Sequence, residues 1–261
     1  MSIDIARSGS IATVTVHVPE RMNALNSELL VELSEAFREL STNRDVRVVI
    51  FTGAGDRAFI AGANIKEMAS KSRNEALEFA RLGHALASRI ETLAQPVIAA
   101  VNGFALGGGC ELALACDIRH CSTNAVFAQP EALLGIPPGW GGTQRLARAV
   151  GPGYAAEMIY TGKRIDAAEA LRVGLVNAVH EQADLLPNVE ALAGEIVKAG
   201  PDAVRASKRL IALTRGSSAQ SALAEEARTF ADQFDGEQQK EGMTAFLEKR
   251  EPTFSNEAGE H

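Results

Sequence analysis

Apolar and polar positions alternate along Ile11–Val18, which is the pattern of a strand with one buried face. Apolar residues then recur at helical spacing after Asn26 or Ser27, either of which can cap a helix. The inward positions of this predicted helix are Leu29, Leu30, Leu33, Phe37 and Leu40. A second strand is predicted over Val46–Thr52. Strand, helix and strand in this order are typical of the α/β class.

The same kind of periodicity predicts a long helix and a buried strand ahead of a run of glycines. The helix covers Asn74–Leu93, and the strand covers Val97–Val101, which is short and wholly apolar. Good helix formers predict a further helix over Gly109–Ala115. Two short strands are expected over Ile118–Cys121 and Ala125–Phe127. Strands and helices therefore continue to alternate.

From Gly151 onward the composition becomes rich in Ala, Glu and Arg, which favours helices. Only Leu175–Val179 is a candidate strand in this part of the sequence. Helices are predicted over Tyr154–Tyr160, Ala167–Val173, Val189–Ala199, Asp202–Thr214, Ala219–Phe234 and Gln238–Lys249. The apolar faces of the last two suit either a neighbouring subunit or a contact within the chain.

Three consecutive glycines lie in the stretch Asn102–Glu111, between a predicted strand and a predicted helix. Glycine has no Cβ, so a ligand can approach the backbone closely there. The first N–H groups of a helix have no intrahelical partner and lie at the positive end of its dipole. Glu111 adds a carboxylate to the first turn. The stretch thus offers donors for an anion beside an ionisable group, and a tight packing turn is the alternative.

Two further stretches favour the functional interpretation. Phe127–Leu134 carries Glu131 in an apolar setting, and Ala58–Met68 places Gly and small residues where a helix could begin. Trp140, the only tryptophan, either fills the core or forms part of the wall of a site.

Composition and charge argue against several other classes of protein. The net charge of −7 over 261 residues speaks against general nucleic-acid binding. The most apolar run, Pro96–Cys116, is interrupted by Asn102, by glycines and by Glu111, so it does not suit a membrane helix. The beginning of the sequence does not resemble a secretory signal. The three cysteines form neither a CxxC pair nor an even disulfide framework, so we expect reduced thiols in a cytoplasmic protein.

Taken jointly, these stretches resemble the enoyl-CoA hydratase (crotonase) family. The resemblance is carried by Asn102–Glu111, by Gln129–Glu131 (Gln-Pro-Glu) and by Gly135–Leu146, which ends in Gly-Gly-Thr-Gln-Arg-Leu. Other similar stretches are Pro19–Asn26, Ala58–Met68, Thr161–Asn177 and Gly242–Arg250. The resemblance therefore covers nearly the whole chain.

The resemblance implies an α/β fold of the crotonase type (ClpP/crotonase-like), in which ββα units spiral into two stacked sheets over residues 1–195. It implies that a C-terminal helical segment over residues 196–261 serves in trimerisation, and that the protein is a homotrimer or a homohexamer, since trimers of this family commonly pair. It also implies a CoA thioester as the substrate. The backbone N–H groups of Ala63 and Gly108 would form the oxyanion hole for the thioester oxygen.

Hydratases of this family use two glutamates, which match Glu111 and Glu131, whereas isomerases, dehalogenases and decarboxylases of the superfamily usually lack one. The resemblance thus implies reversible hydration of a short-chain 2-trans-enoyl-CoA, with no metal and no cofactor beyond the CoA of the substrate. We expect Glu131 to protonate C2 and Glu111 to activate the water, and the reverse or a shared division of labour stays open. Gly139 is expected to offer a backbone N–H near Glu131.

Two alternatives to this function remain. Within the family, the protein could be an isomerase or a hydratase of a branched or unusual acyl-CoA. In another class, it could be a non-catalytic CoA-binding subunit that keeps the fold.

The resemblance also assigns contacts to the substrate. The implied CoA contacts are Ala24, Ala61, Ile65, Lys66, Phe246 and Lys249, the last two on the CoA of an adjacent subunit. A solvated helix face is the alternative for Lys66. Trp140 stands where the family usually has Ala or Phe beside the acyl group, and a large ring there favours a short acyl chain. Asn64 replaces the Asp that is common at its position, which puts a direct role of that side chain in doubt.

Overall fold

Ten strands and eleven α-helices lie within residues 2–255, the part of the chain that this computed structural model describes. The strands are β1 (Ile3–Ser8), β2 (Ile11–Val16), β3 (Val48–Gly53), β4 (Ala58–Ile60), β5 (Val97–Val101), β6 (Phe104–Leu106), β7 (Ile118–Ser122), β8 (Val126–Ala128), β9 (Ile165–Asp166) and β10 (Ala178–His180). The helices are α1 (Ser27–Thr42), α2 (Ile65–Met68), α3 (Arg73–Thr92), α4 (Gly108–Ala115), α5 (Gly142–Val150), α6 (Pro152–Thr161), α7 (Ala167–Arg172), α8 (Leu185–Lys198), α9 (Pro201–Ala212), α10 (Ala219–Asp232) and α11 (Glu237–Glu248).

The strands form a larger and a smaller sheet. The larger sheet has the order β1-β2-β3-β5-β7-β10, and its strands are parallel except for the β1–β2 pair. The smaller sheet has the order β4-β6-β8-β9. Each of β3, β5 and β7 passes directly into β4, β6 or β8 of the smaller sheet, and helices follow β4 and β6. This repeated order confirms the predicted ββα units and the two sheets.

The central strands of the larger sheet are buried on both faces, as their continuous apolar runs predict. One face is covered by the apolar stripe of α8, and the other faces the main core with α1, α3 and α4. Phe51 of β3 packs edge-on against Phe37 of α1 and Phe59 of β4, with ring centroids 5.4 and 5.0 Å apart. These aromatic contacts hold the two sheets and the first helix together.

One predicted element is wrong in its first half. The candidate strand over Leu175–Val179 begins only at Ala178, as β10. The N–H groups of Leu175 and Val176 turn back instead to the Ala170 carbonyl, at 2.9 and 3.3 Å, and close the end of α7. Apolar composition alone does not separate a buried helix end from a strand.

The C-terminal segment from α9 to α11 leaves several large apolar side chains exposed. They are Ile211, Leu223, Phe230, Phe234, Met243, Phe246 and Leu247. The predicted boundary at residue 195 falls inside α8, whose last turn still packs on the larger sheet through Ile196 and Val197. The predicted segments 1–195 and 196–261 include Met1 and residues 256–261, which lie outside the described residues. Within residues 2–255, no helix is both long and apolar enough to cross a membrane.

Candidate active site

The predicted glycine turn lies between β6 and α4, because a short strand intervenes where the sequence predicted a direct passage from β5. Gly107 has φ +50° and ψ −120°, which residues with a side chain rarely adopt. Its N–H donates to the Ala128 carbonyl (2.9 Å), and its carbonyl accepts the Glu111 N–H (3.0 Å) as the first bond of α4. The N–H groups of Gly108 and Gly109 therefore begin the helix without an intrahelical acceptor.

The second predicted stretch meets the first because β4 and β6 are neighbours in the smaller sheet. Gly62 has φ +105°, and a Cβ placed on it would lie 3.0 Å from the Leu106 carbonyl at the end of β6. Ala63, the next residue, is held beside Leu25, whose carbonyl accepts the Asn64 N–H (2.7 Å). The two predicted oxyanion-hole turns thus lie side by side.

Glu111 is buried inside the fold, with only 1% of its surface exposed. Its Oε1 accepts two backbone N–H groups from the start of α5, those of Trp140 (2.8 Å) and Gly142 (2.7 Å). Burial raises the pKa of Glu111, while these donors and the positive charge of Arg145 act in the opposite direction. Among the described residues both hydrogen bonds to this carboxyl group use Oε1, and none uses Oε2.

Glu131 begins a 3₁₀ turn after β8, and its carboxyl group lies beside Gly107 at the start of α4. A Cβ placed on Gly107 would lie 2.5 Å from Glu131 Oε1, so the carboxyl group occupies the space that the glycine leaves. Burial, and then the negative charge of Glu111, raise the pKa of Glu131 to about 7. Near neutral pH this group exists both with and without its proton, as suits a general acid or base.

Gln129 supports Glu131 and was not among the residues predicted for the site. It is completely buried, and with its amide nitrogen turned toward Glu131 it donates to Oε2 (3.1 Å) and Oε1 (3.3 Å). The signal that could have identified Gln129 is its place at the end of an apolar strand, because a buried amide needs polar partners.

Cys110 lies close to the same carboxyl groups but is not a candidate nucleophile. Burial, followed by the negative charges of Glu131 and Glu111, raises the pKa of the Cys110 thiol to about 12. The thiol therefore stays protonated at neutral pH and is unreactive.

Trp140 fills a core position, and its place in the wall of a site stays a prediction. It is 3% exposed, and its ring centroid lies 5.4 Å from that of Phe79. A Cβ placed on Gly108 or on Gly83 would lie 2.2 Å from an indole carbon. The indole ring therefore occupies a slot between two glycines, one of which is the predicted oxyanion-hole residue.

Residues 6–257 match a sequence model of the family described as enoyl-CoA hydratase/isomerase. The chain belongs to the enoyl-CoA hydratase/isomerase family. One relative, the short-chain-enoyl-CoA hydratase of Clostridium acetobutylicum, is 47% identical over 249 residues, which cover 95% of each chain. Another, the crotonyl-CoA hydratase of Syntrophomonas wolfei, is 47% identical over 253 residues, which cover 97% of each chain.

A solved structure extends this enoyl-CoA hydratase/isomerase assignment from sequence to fold. The crystal structure of an enoyl-CoA hydratase from Bacillus anthracis superimposes with a TM-score of 0.96 at 37% identity. The match covers 98% of this chain and 100% of the other. The predicted crotonase-type α/β fold is therefore confirmed.

Four of the residues predicted to contact CoA lie on two segments near the glycine turns. Ala24 and Ala61 are on adjoining loops, since the Ala61 N–H donates to the Met22 carbonyl (3.0 Å). Ile65 and Lys66 are exposed in the first turn of α2. Their contacts with CoA stay predictions.

Asn64 has a structural role that the Asp common at its position could also fill. Its side-chain oxygen accepts the N–H groups of Lys66 (3.0 Å) and Glu67 (3.3 Å) and so caps α2. Asn and Asp cap helices about equally well, so the exchange preserves this start.

Phe246 and Lys249 lie at the end of α11. Phe246 is 82% exposed, and Lys249 ends the helix with φ +56°. The helix packs against a 3₁₀ turn at Gln233–Asp235. The predicted contact of these two residues with CoA of another subunit stays a prediction.

In the described part of the chain, the backbone N–H groups that bind a carboxyl group in this loop do not include the predicted one, that of Gly139. A hydrogen bond from the Gly139 N–H to Glu131 is not found among the described residues. The N–H groups that reach a carboxyl group are those of Trp140 and Gly142, and they reach Glu111. Because α5 begins at Gly142, its unpaired amides point toward the buried Glu111 carboxylate rather than toward Glu131.

Proposed function

We propose that the protein is an enoyl-CoA hydratase that adds water reversibly to a short-chain 2-trans-enoyl-CoA and yields the 3-hydroxyacyl-CoA. The observation that carries this proposal is the pair Glu111 and Glu131, which meet at the start of one helix beside two turns with available N–H groups. Two relatives named short-chain-enoyl-CoA hydratase and crotonyl-CoA hydratase support the short acyl chain.

The backbone turns stabilise the charge that develops on the substrate. Addition of water at C3 places negative charge on the thioester oxygen, as in an enolate. In the proposed complex the N–H groups of Ala63 and Gly108 donate to that oxygen, and the dipole of α4 adds to the effect. One such donor is worth about 3 kcal/mol in comparable sites. This role needs small residues, and the packing of Trp140 on Gly108 leaves no room for a Cβ.

The two carboxyl groups handle the protons of one water molecule. Glu131, with a pKa of about 7, donates its proton to C2. The water oxygen bonds to C3, and its proton passes to Glu111 Oε2, since Oε1 is occupied by two N–H groups. The proton on Glu111 returns to Glu131 before the next turnover. One water is thereby added, and both carboxyl groups recover their starting state.

The remaining predictions about the substrate belong to this proposal. Trp140 forms the wall of the acyl pocket. The CoA contacts are Ala24, Ala61, Ile65 and Lys66, together with Phe246 and Lys249 of a neighbouring subunit in a homotrimer or hexamer. The exposed apolar side chains of the C-terminal helices support such an assembly, because extended apolar patches on a protein surface often mark subunit contacts.

The same chemistry sets the requirements for cofactor and location. Hydration moves protons and no electrons, so we propose that no redox cofactor takes part. The carboxyl groups and the backbone donors supply the acid, the base and the charge stabilisation without a metal. The three cysteines are free and buried, which supports a cytoplasmic location.

A turnover assay with crotonyl-CoA tests the proposal, because the ultraviolet absorbance of the conjugated thioester falls as water adds. In a series of acyl chains we expect the highest kcat/KM for short, unbranched 2-enoyl-CoA substrates. A preference for branched substrates, or shift of a 3-enoyl double bond without hydration, would indicate the alternatives within the family. Binding of crotonyl-CoA by calorimetry without turnover would indicate a non-catalytic CoA-binding subunit.

A further inference from the structure

Three charged side chains, two of them largely buried, form a series of ion pairs beside the turn that supports Glu111. Arg145 of α5 donates through Nη2 to Glu91 Oε2 of α3 (2.6 Å), and Glu91 Oε1 lies 3.0 Å from Arg215 Nη1. The side chains of Arg145 and Glu91 are only 10% and 13% exposed. Arg215 belongs to a 3₁₀ turn after α9, so this series of ion pairs joins the C-terminal helices to α5.

Arg145 also holds the turn that supports Glu111. Its Nη1 donates to the Trp140 carbonyl (2.7 Å), while the N–H of Trp140 donates to Glu111 (2.8 Å). Gly141 has φ +105°, and a Cβ placed on it would lie 2.0 Å from Arg145 Nη1. The guanidinium group therefore packs directly on the turn, which is bound by Glu111 on one side and by Arg145 on the other.

Burial of the Arg145 guanidinium group costs free energy, and packing alone does not explain why a charged side chain occupies this position. Glu91 compensates its charge, yet within residues 2–255 the Arg145 Nε is buried without a hydrogen-bond partner. Well-packed apolar side chains often replace a buried ion pair with no loss of stability. The positive charge does have an effect on the site, because it favours the ionised form of Glu111 and opposes the effect of burial on the pKa of that group.

We propose that Arg145 is a positioning residue of the hydration reaction, which keeps the Trp140–Gly142 turn bonded to Glu111 and places a positive charge behind that carboxylate. Glu91 moderates this charge, since it pairs with the same guanidinium group. The inference rests on the proposed function, because it takes Glu111 to be the group that accepts the proton of water.

The other titratable groups near Glu111 come from different elements. Glu131 lies on the 3₁₀ turn after β8, and the negative charge of Glu111 raises the pKa of Glu131. Cys110 lies next to Glu111 on α4 and keeps its proton. Glu91 of α3 affects the charge of Glu111 through its ion pair with Arg145. Arg215 in turn acts through its ion pair with Glu91.

The first test replaces Arg145 by Met, which keeps much of the side-chain volume and removes the charge and both hydrogen bonds. We expect kcat to fall about tenfold or more while KM changes by less than about threefold. The acid limb of the pH profile, where kcat/KM falls toward low pH, should move to higher pH by about half a unit or more. The reason is that the ionised form of Glu111 loses a stabilising positive charge, which raises the pKa of Glu111.

Arg148→Met is the matched control. Arg148 is exposed one turn further along α5, where its Nε donates to the Gln144 carbonyl of its own helix (3.0 Å). This variant loses the same charge from the same helix. It should keep kcat within about twofold of the unaltered enzyme and leave the acid limb in place.

Glu91→Gln separates the electrostatic effect from general damage. It removes the negative charge that moderates Arg145, so Glu111 is exposed to a stronger positive field. The acid limb should then move to lower pH, opposite to its movement in Arg145→Met. General damage to the fold lowers activity in both variants and produces no such reversal.

The single tryptophan gives a readout that does not depend on turnover. Trp140 is in the turn that Arg145 holds, so its fluorescence reports on the packing of that turn. We expect acrylamide to quench it more in Arg145→Met than in Arg148→Met. Should Arg145→Met fail to fold, Arg145→Lys takes its place: it retains the charge and should keep the acid limb, but kcat should fall because a lysine lacks the planar fork.

The inference is overturned if folded Arg145→Met matches Arg148→Met in kcat, in pH profile and in quenching. It is also overturned if the charge-removing variants of Arg145 and Glu91 move the acid limb in the same direction, or if Arg145→Lys, used as the replacement, matches the unaltered enzyme in kcat. An unaltered enzyme that does not hydrate crotonyl-CoA would overturn the proposed function as well, so the two failures are distinguishable.

Discussion

Glu111 and Glu131 are the same amino acid in two environments, and the environments determine their chemistry. Glu111 is almost completely buried, with two N–H donors on one oxygen. Glu131 lies beside it with a pKa of about 7. Two carboxyl groups with different surroundings can act as a proton donor and a proton acceptor at the same pH.

Replacing either carboxyl group by an amide tests their joint role. Glu111→Gln and Glu131→Gln should each lower kcat about a thousandfold or more with a modest change in KM, since the amide can neither donate nor accept the proton in transit. Glu190→Gln, at an exposed position of α8, is the control and should turn over normally. Near-normal crotonyl-CoA turnover in both active-site variants would falsify the assignment.

Glu131 should also make stability depend on pH. A carboxyl group whose pKa is raised from 4.5 to about 7 on folding destabilises the folded protein increasingly as pH rises through that interval. Glu131→Gln removes this effect. Urea unfolding should therefore show the variant to be more stable by on the order of 2 kcal/mol at pH 8, with a difference that vanishes toward pH 4.5. A difference independent of pH would contradict the raised pKa.

The contact between Gly108 and Trp140 makes a further prediction. Gly108→Ala places a Cβ in the indole ring, 2.2 Å from its nearest carbon, and should cost about 1–3 kcal/mol of stability as well as activity. Adding Trp140→Ala should recover part of the stability because it vacates that space. Gly194→Ala in α8, where a Cβ meets nothing within 4 Å, is the control and should not destabilise. Fully additive losses in the double variant would argue against the contact.

Two helix starts organise the site at the scale of elements. The beginning of α4 provides unpaired N–H groups at the glycine turn, and the beginning of α5 provides the donors to Glu111. The periodicity of the sequence predicts most of the long elements but omits β1, β4, β6 and β9. Strands of two or three residues, such as β4, β6 and β9, are too short to show a period, and their pairing depends on distant parts of the chain.

The exposed apolar side chains of the C-terminal helices lead to a prediction about subunit assembly. Phe246 and Leu247 of α11 are 82% and 80% exposed. Replacing both by Ser should lower the molecular mass measured by light scattering, because the apolar surface of the proposed trimer is lost. Leu171→Ser, at a 45% exposed position of α7, is the control. An unchanged mass in the double variant would place the subunit contact elsewhere.

At the scale of the whole molecule, the site is assembled from segments that are far apart in the chain. The family resemblance located Glu111, Glu131 and the two glycine turns, because their residue types and order are visible in the sequence. It could not identify the contacts of Gln129 or Arg145. Those contacts depend on how α4, α5 and the turn after β8 pack together, which local patterns do not encode.

The most direct measurement is a crystal structure of the protein with a bound, unreactive acyl-CoA. The thioester oxygen should lie about 2.7–3.1 Å from the backbone nitrogens of both Ala63 and Gly108. The carboxyl groups of Glu111 and Glu131 should both face the C2–C3 bond. A thioester oxygen remote from either turn, or carboxyl groups directed away from the acyl chain, would contradict the account.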